Sequence, residues 1–262
     1  MFEILRFEAE RRRLSTAVLA VVLPIFAVMM LYLGPQVLVQ GGFQDMIDVM
    51  PPALRAAFGF EYLDSLGGLL ASEYFSIGWI LLLGIYAAYA MAGTIAGDED
   101  DDQLDMVIAA PLSRTRLLVE KYLALLVPIL LVNLASYLTI AVGVTLIDEP
   151  VNLLNLAVVH LYSVPYLLCC GAIGLVLSVT IDGGRTAKRA AVGVILGLWL
   201  FESLLAGTAL EPLGVFTPMR YFDPPAIVVE GAYDPVSLAV LVAATLVLFA
   251  ASHRLFVAGD VA

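Results

Sequence analysis

LSTAVLAVVLPIFAVMMLYLG, residues 14–34, contains no Asp, Glu, Lys or Arg and is dominated by Val, Leu, Ile, Phe and Met. A helix of this length rises about 30 Å, the thickness of a bilayer's hydrocarbon core. It has no polar face to turn toward water. Similar runs free of those four residue types lie between Glu73 and Asp98, Lys121 and Asp148, Glu149 and Asp182, and Asp234 and Arg254. A shorter one, Ala190 to Ala206, is interrupted by Glu202. Together they predict an all-α, polytopic membrane protein with about six transmembrane helices, at roughly 14–34, 73–96, 120–146, 153–181, 188–206 and 235–256. One membrane domain is expected to fill residues 1–262.

Composition agrees: 61% of the 262 residues are hydrophobic and 14% charged, against roughly 25% charged in a soluble domain. Residues 1–13, MFEILRFEAERRR, are too acidic for the leading region of a secretory signal, and the apolar run behind them has no small-residue cleavage site, so the first helix is expected to be retained. Phe2, Leu5 and Ala9 share one face of residues 2–13 while Glu3, Arg6, Glu10 and Arg13 share another, which predicts an amphipathic helix lying in the membrane interface.

Basic residues set orientation. With the N-terminus inside, Arg6, Arg11, Arg12, Arg13, Arg114, Arg116, Lys121, Arg185, Lys188, Arg189 and Arg254 are cytoplasmic, and only Arg55 and Arg220 are outside. Both termini are therefore expected in the cytoplasm. A formal net charge of −11 leaves no basic surface for nucleic acid. With two Lys against 24 acidic residues, the surface would suit very high salt, although anionic loops also occur without it.

The inner loop GDEDDDQLDMVIAAPLSRTRLLVEK, residues 97–121, carries the most information. Asp98 to Asp102 could cap a helix N-terminus, where carboxylates satisfy free N–H groups. Leu104, Val107 and Ile108 then form an apolar side with Asp105 elsewhere, Pro111 ends that helix, and Ser113 caps the next, anchored by Arg114, Arg116 and Lys121. The last outer stretch, 207–234, holds Pro212, Pro218, Pro224 and Pro225 among apolar residues. It is expected to dip part-way into the membrane, which irregular backbone does only where protein or a water cavity satisfies it.

Catalytic and nucleotide-binding signatures are absent. There is no G-x-x-x-x-G-K-[ST] phosphate loop, so ATP is not bound by this chain in that manner; nor is there G-x-S-x-G or H-E-x-x-H. No catalytic residue, metal ligand or cofactor is expected here. Cys169 and Cys170 are adjacent in the fourth span and read as small apolar fillers. Glu202 is the acid well inside a predicted span. It would be a coupling or substrate-contacting group, or else sit near the outer helix end and hydrogen-bond a neighbour. His160 is expected to be a hydrogen-bonded packing residue, with a proton relay as the other reading. Tyr86, Tyr89, Asn133, Tyr137, Tyr162 and Tyr166 are scattered polar points in the spans.

The string Leu104-Asp105-Met106-Val107-Ile108-Ala109-Ala110-Pro111-Leu112-Ser113-Arg114, preceded by acidic residues and followed by Lys121, resembles the inner loop of type-2, export-type ABC transporter permeases. The basic N-terminal helix, the six spans and the Pro-rich segment before the last span extend the likeness over nearly the whole chain. The resemblance implies a permease subunit at the plasma membrane, not itself an enzyme. Its loop would form a coupling helix seated in a separate ATP-binding subunit, which would hold the ATP and magnesium. Leu104, Val107 and Ile108 would supply apolar contact, Asp105 and Arg114 polar contact, and Lys121 would fix the base of the third helix. A second permease copy, identical or related, would complete the transporter. The run Asp98 to Asp102 is more acidic than that pattern. An ion-driven secondary transporter or a membrane scaffold remain the other classes; either would work without an ATPase partner.

Overall fold

The computed structural model describes residues 3–39, 49–50, 62–63, 65–100 and 113–258. Leu104, Asp105, Val107, Ile108 and Pro111 lie outside the described residues.

Every regular element among the described residues is helical. A short α1 (Glu3–Arg11) leads into α2 (Arg13–Val39). The second span is composite: α3 (Leu66–Leu69), capped by Ser65 Oγ accepting from Gly68 N, a π-helical stretch (Leu70–Leu83), and α4 (Gly84–Ala92). It thus starts seven residues before the expected Glu73, because Ser65 caps it and Glu73 sits inside it. After a turn at Gly93–Ile95 comes α5 (Ala96–Asp100). The third span is α6 (Arg114–Leu123) followed by α7 (Leu126–Leu146). The break between them precedes Pro128, which has no N–H to give to Ala124; Val127 N bonds the Ala124 carbonyl instead at 3.3 Å. Then follow α8 (Leu153–Thr180), α9 (Gly184–Leu205), two 3₁₀ turns at Glu211–Phe216 and Pro218–Tyr221, α10 (Pro224–Val228) and α11 (Pro235–Ala258).

Five helical stretches are long and apolar enough to cross a membrane: Arg13–Gln36, Leu66–Ala92, Arg114–Leu146, Leu153–Thr180 and Pro235–Ala258. The expected fifth crossing, 188–206, is not among them by composition, because α9 carries Arg185, Lys188, Arg189 and Glu202. Packing nevertheless carries it along much of the second span. A Cβ on Gly184 would stand 2.7 Å from Gly97 Cα, just past one end of that span, while Trp199 and Glu202 share a cavity wall with Ser76 and Ile80 near its middle. At 22 residues α9 is about 33 Å long.

α8 is the central post, packed on α4, α7, α9, α10 and α11. Its approach to α4 is close enough that a Cβ on Gly174 would fall 2.0 Å from the Ala88 carbonyl oxygen. Small residues at such crossings let helix backbones meet in lipid, where apolar burial alone does not hold helices together. Polar side chains add stitches. Asn133 Oδ1 accepts from Trp79 Nε1 at 3.0 Å and from Ser163 Oγ at 2.9 Å, and Tyr166 donates to the Ile80 carbonyl at 2.8 Å. Asn133 and Tyr166 are thus buried helix-to-helix links, not polar points on an open path. Cys169 and Cys170 are buried and free, as fillers should be.

The first and last described helices meet on one face. α1 and the C-terminal turns of α11 pack on α6, and the eleven basic residues assigned above to one side all lie at that end. Opposite, the 207–234 segment folds inward far enough for Phe222 to stack on Tyr166, near the middle of α8, with ring centroids 5.2 Å apart.

Candidate functional site, a buried ionic cluster that frames the 101–112 loop

Lys121 lies about two turns into α6, where its side chain is 3% exposed. Burying an isolated ammonium costs several kcal/mol, so its surroundings must return the charge. They do so with two carboxylates from different elements: Glu8 Oε1 of α1 at 2.6 Å and Asp98 Oδ2 of α5 at 2.5 Å. The Thr94 carbonyl accepts a further bond at 3.3 Å. Arg12, 9% exposed, reaches the other oxygen of Glu8 at 3.3 Å and Thr94 Oγ1 at 3.3 Å. Two buried cations thus meet two buried anions. Burial holds the Arg12 guanidinium below its ordinary pKa, and the charge of Glu8 opposes that shift. Arg11 closes the cluster from the rim, 2.9 Å from Asp98 Oδ1.

Glu120, beside Lys121, secures the start of α1. Its Oε2 accepts from the backbone N–H groups of Ile4 at 3.2 Å and Leu5 at 3.4 Å, donors that no helical carbonyl can reach. Arg116 holds its other oxygen at 2.6 Å. The start of α6 is capped by Ser113 Oγ, which accepts from Arg116 N, as the sequence predicts. Ser178 Oγ of α8 accepts from Ile95 N at 2.9 Å and Ala96 N at 3.2 Å. Lys188 of α9 lies against Gly93, with its ammonium 5.5 Å from the Tyr89 ring centre.

Asp98 precedes residues 101–112 and Lys121 follows them, and the two are bonded directly. The segments that flank 101–112 are thus joined at Lys121, and α1 is tied to α6 through Glu8 and Glu120. Ser178 and Lys188 bring α8 and α9 against the turn that leads into α5.

Of the sequence-predicted residues, Lys121 is at the centre of this cluster. Asp98 departs from expectation: it lies inside α5 and its carboxylate binds Lys121 and Arg11 instead of capping a helix. Arg114 is turned toward α11, donating to the Phe256 carbonyl at 3.4 Å with its guanidinium 6.0 Å from the Phe256 ring centre. His160 is remote; its Nδ1 is 2.7 Å from the Leu156 carbonyl and its ring meets Phe75, Trp79 and Tyr137 edge-on. Glu202 is on the far face, accepting from Thr217 Oγ1 at 2.5 Å and paired with Arg220 at 3.4 Å. Glu8, Arg12 and Glu120 were not singled out from sequence. The available signal was the Glu8/Arg12 pair, one helical turn apart and in line with Ile4 and Leu5 on the apolar side of the N-terminal helix. Among the described residues, no group of three or more His, Cys, Asp or Glu is arranged to hold a metal ion.

A bundle of apolar helices long enough to cross a membrane, with a salt-bridged cluster at one face (the platform face), defines a polytopic membrane protein. The chain belongs to the ABC-2 transporter family: the family described as ABC-2 family transporter protein matches residues 6–261. It is therefore a multi-pass membrane permease of an ABC transporter. Comparison with curated proteins found no match.

Proposed function

We propose that this chain is the membrane-spanning subunit of an ATP-driven exporter in the plasma membrane, with the platform face and both termini in the cytoplasm. A separate ATP-binding subunit, which holds the ATP and magnesium, would dock on residues 101–112. Leu104, Val107 and Ile108 supply the apolar contact, Asp105 a polar one, and Pro111 ends the docking helix before Ser113 caps α6. The observation that carries this reading is the Asp98–Lys121 bond: it makes the two ends of that loop one rigid mount, which a force-transmitting element requires. Closure of the ATP-binding subunits around nucleotide would push the mount and tilt α4, α6 and α8 between two packings.

The working unit would contain two copies of this chain. Support comes from α9, where Gly193 and Gly197 lie one turn apart on the exposed side and a Cβ on either would meet nothing within 4 Å. A G-x-x-x-G pair open to lipid lets a second helix approach closely. Changing both glycines to leucine is expected to convert the detergent-purified dimer to monomer in light scattering without lowering the unfolding temperature. A persisting dimer would place the interface elsewhere.

The docking reading is tested by purifying the tagged chain from its native membrane in mild detergent and assaying ATP hydrolysis. A P-loop ATPase is expected to accompany the native chain and to be lost when Leu104, Val107 and Ile108 are changed to Asp. A folded native chain with no associated ATPase overturns it in favour of a secondary transporter or scaffold.

A further inference from the structure

Between α2 and α7 the surface opens into two apolar grooves that meet at Leu138. One, of about 600 Å³, starts at the platform face and is lined below by Thr16, Ala17 and Ala20 opposite Val127, Leu131 and Leu134, with Arg6, Glu10 and Arg13 at its mouth. The other, of about 560 Å³, lies toward the far face among Val28, Leu31, Tyr32, Val142 and Gly143, and no charged residue lines it. Its pairing with the first gives an internal contrast: similar size and similar apolar walls, with a charged mouth on one alone.

We propose that the platform-side groove is a binding site for one anionic diacyl phospholipid of that leaflet. The floor is made by small α2 residues and the wall by leucines of α7 that are half exposed, Leu131 at 50% and Leu134 at 56%. Below Thr16 the groove is lined by no polar side chain. From Arg13 to Ala20 the helix descends about 10 Å, within the roughly 15 Å of one leaflet, so a chain in the groove places its headgroup at the arginines. Arg6 is held 2.9 Å from Glu10, both well exposed, and Arg13 has no acidic partner among the described residues. Two guanidiniums and one carboxylate leave the mouth net positive, and Arg pairs with a phosphodiester through two N–H donors. Neither Arg6 nor Arg13 belongs to the buried cluster, so the site is separable from the platform and does not rest on the ATPase reading.

Native mass spectrometry of the full chain, released from vesicles of equal phosphatidylglycerol and phosphatidylcholine, tests this. The native chain should retain one phosphatidylglycerol in about tenfold preference, undiminished by excess soluble glycerol phosphate. Changing Arg6 and Arg13 together to Gln should erase the preference while lipid is still retained. Ala17→Leu, which fills the groove with the arginines intact, should lose the lipid. Val28→Leu in the far groove should change neither. Equal retention of the two lipids by the native chain, or a preference that survives the arginine changes, overturns the proposal.

Discussion

Lys121→Met is expected to lower the stability of the detergent-purified chain by about 3–5 kcal/mol, the usual cost of removing one partner from a buried ion pair. The reason is that Glu8 and Asp98, each 3–4% exposed at the side chain, would face each other across the vacated position with only Arg11 and Arg12 to answer them. The change is nearly isosteric, so lost volume contributes little. Thermal unfolding followed by size exclusion measures it, and the charge-balanced double variant that adds Asp98→Asn should recover most of the loss, because Arg12 still answers Glu8. Recovery would attribute the effect to unpaired charge. A single variant as stable as the native chain would mean that the cluster carries no such energy.

The second large effect comes from the α4–α8 crossing. Gly174→Ala should cost about 1–3 kcal/mol and Gly174→Val should prevent accumulation of folded protein, because the added carbon falls against backbone, which cannot rotate away as a side chain can. Gly193→Ala is the control. Its added Cβ meets open space, so stability should stay within about 0.5 kcal/mol of the native chain. If Gly174→Val folds normally in membranes, α8 is not seated on α4 as described.

Much of the fold was legible because lipid imposes a local rule. A run such as residues 14–34 must be a helix to satisfy its own backbone, whatever its neighbours are. The Ser113 cap and the gathering of basic residues at one face could be read for the same reason: each is decided within a few residues. The α9 crossing was harder, since Lys188 and Glu202 dilute its apolar character, and only packing against residues 76–97 shows how far it runs. The third span begins at Arg114 instead of 120 because the charges in its first turns are neutralised by partners: Arg116 by Glu120 and Lys121 by α1 and α5. The candidate site lay mostly beyond sequence reading. Lys121 was singled out as an anchor, yet its partners are 113 and 23 residues away, and the Glu8/Arg12 spacing shows that the two can pair but not what they pack against. Asp98 was read as a cap because it opens an acidic run. The fold instead brings Lys121 beside it, and a full positive charge at hydrogen-bond distance outweighs the partial charge of a helix end. The Glu202–Arg220 pair was hidden for a related reason, since it depends on the irregular 207–234 segment folding inward.

The most direct test of the account is photo-crosslinking from residue 107. A benzoylphenylalanine placed there in the full-length chain, irradiated in native membranes, is expected to form an adduct with a P-loop ATPase subunit, and the yield should change when non-hydrolysable nucleotide closes that subunit. Adducts formed only with lipid or with a second copy of this chain would contradict the claim that residues 101–112 are the mount for an ATP-binding partner.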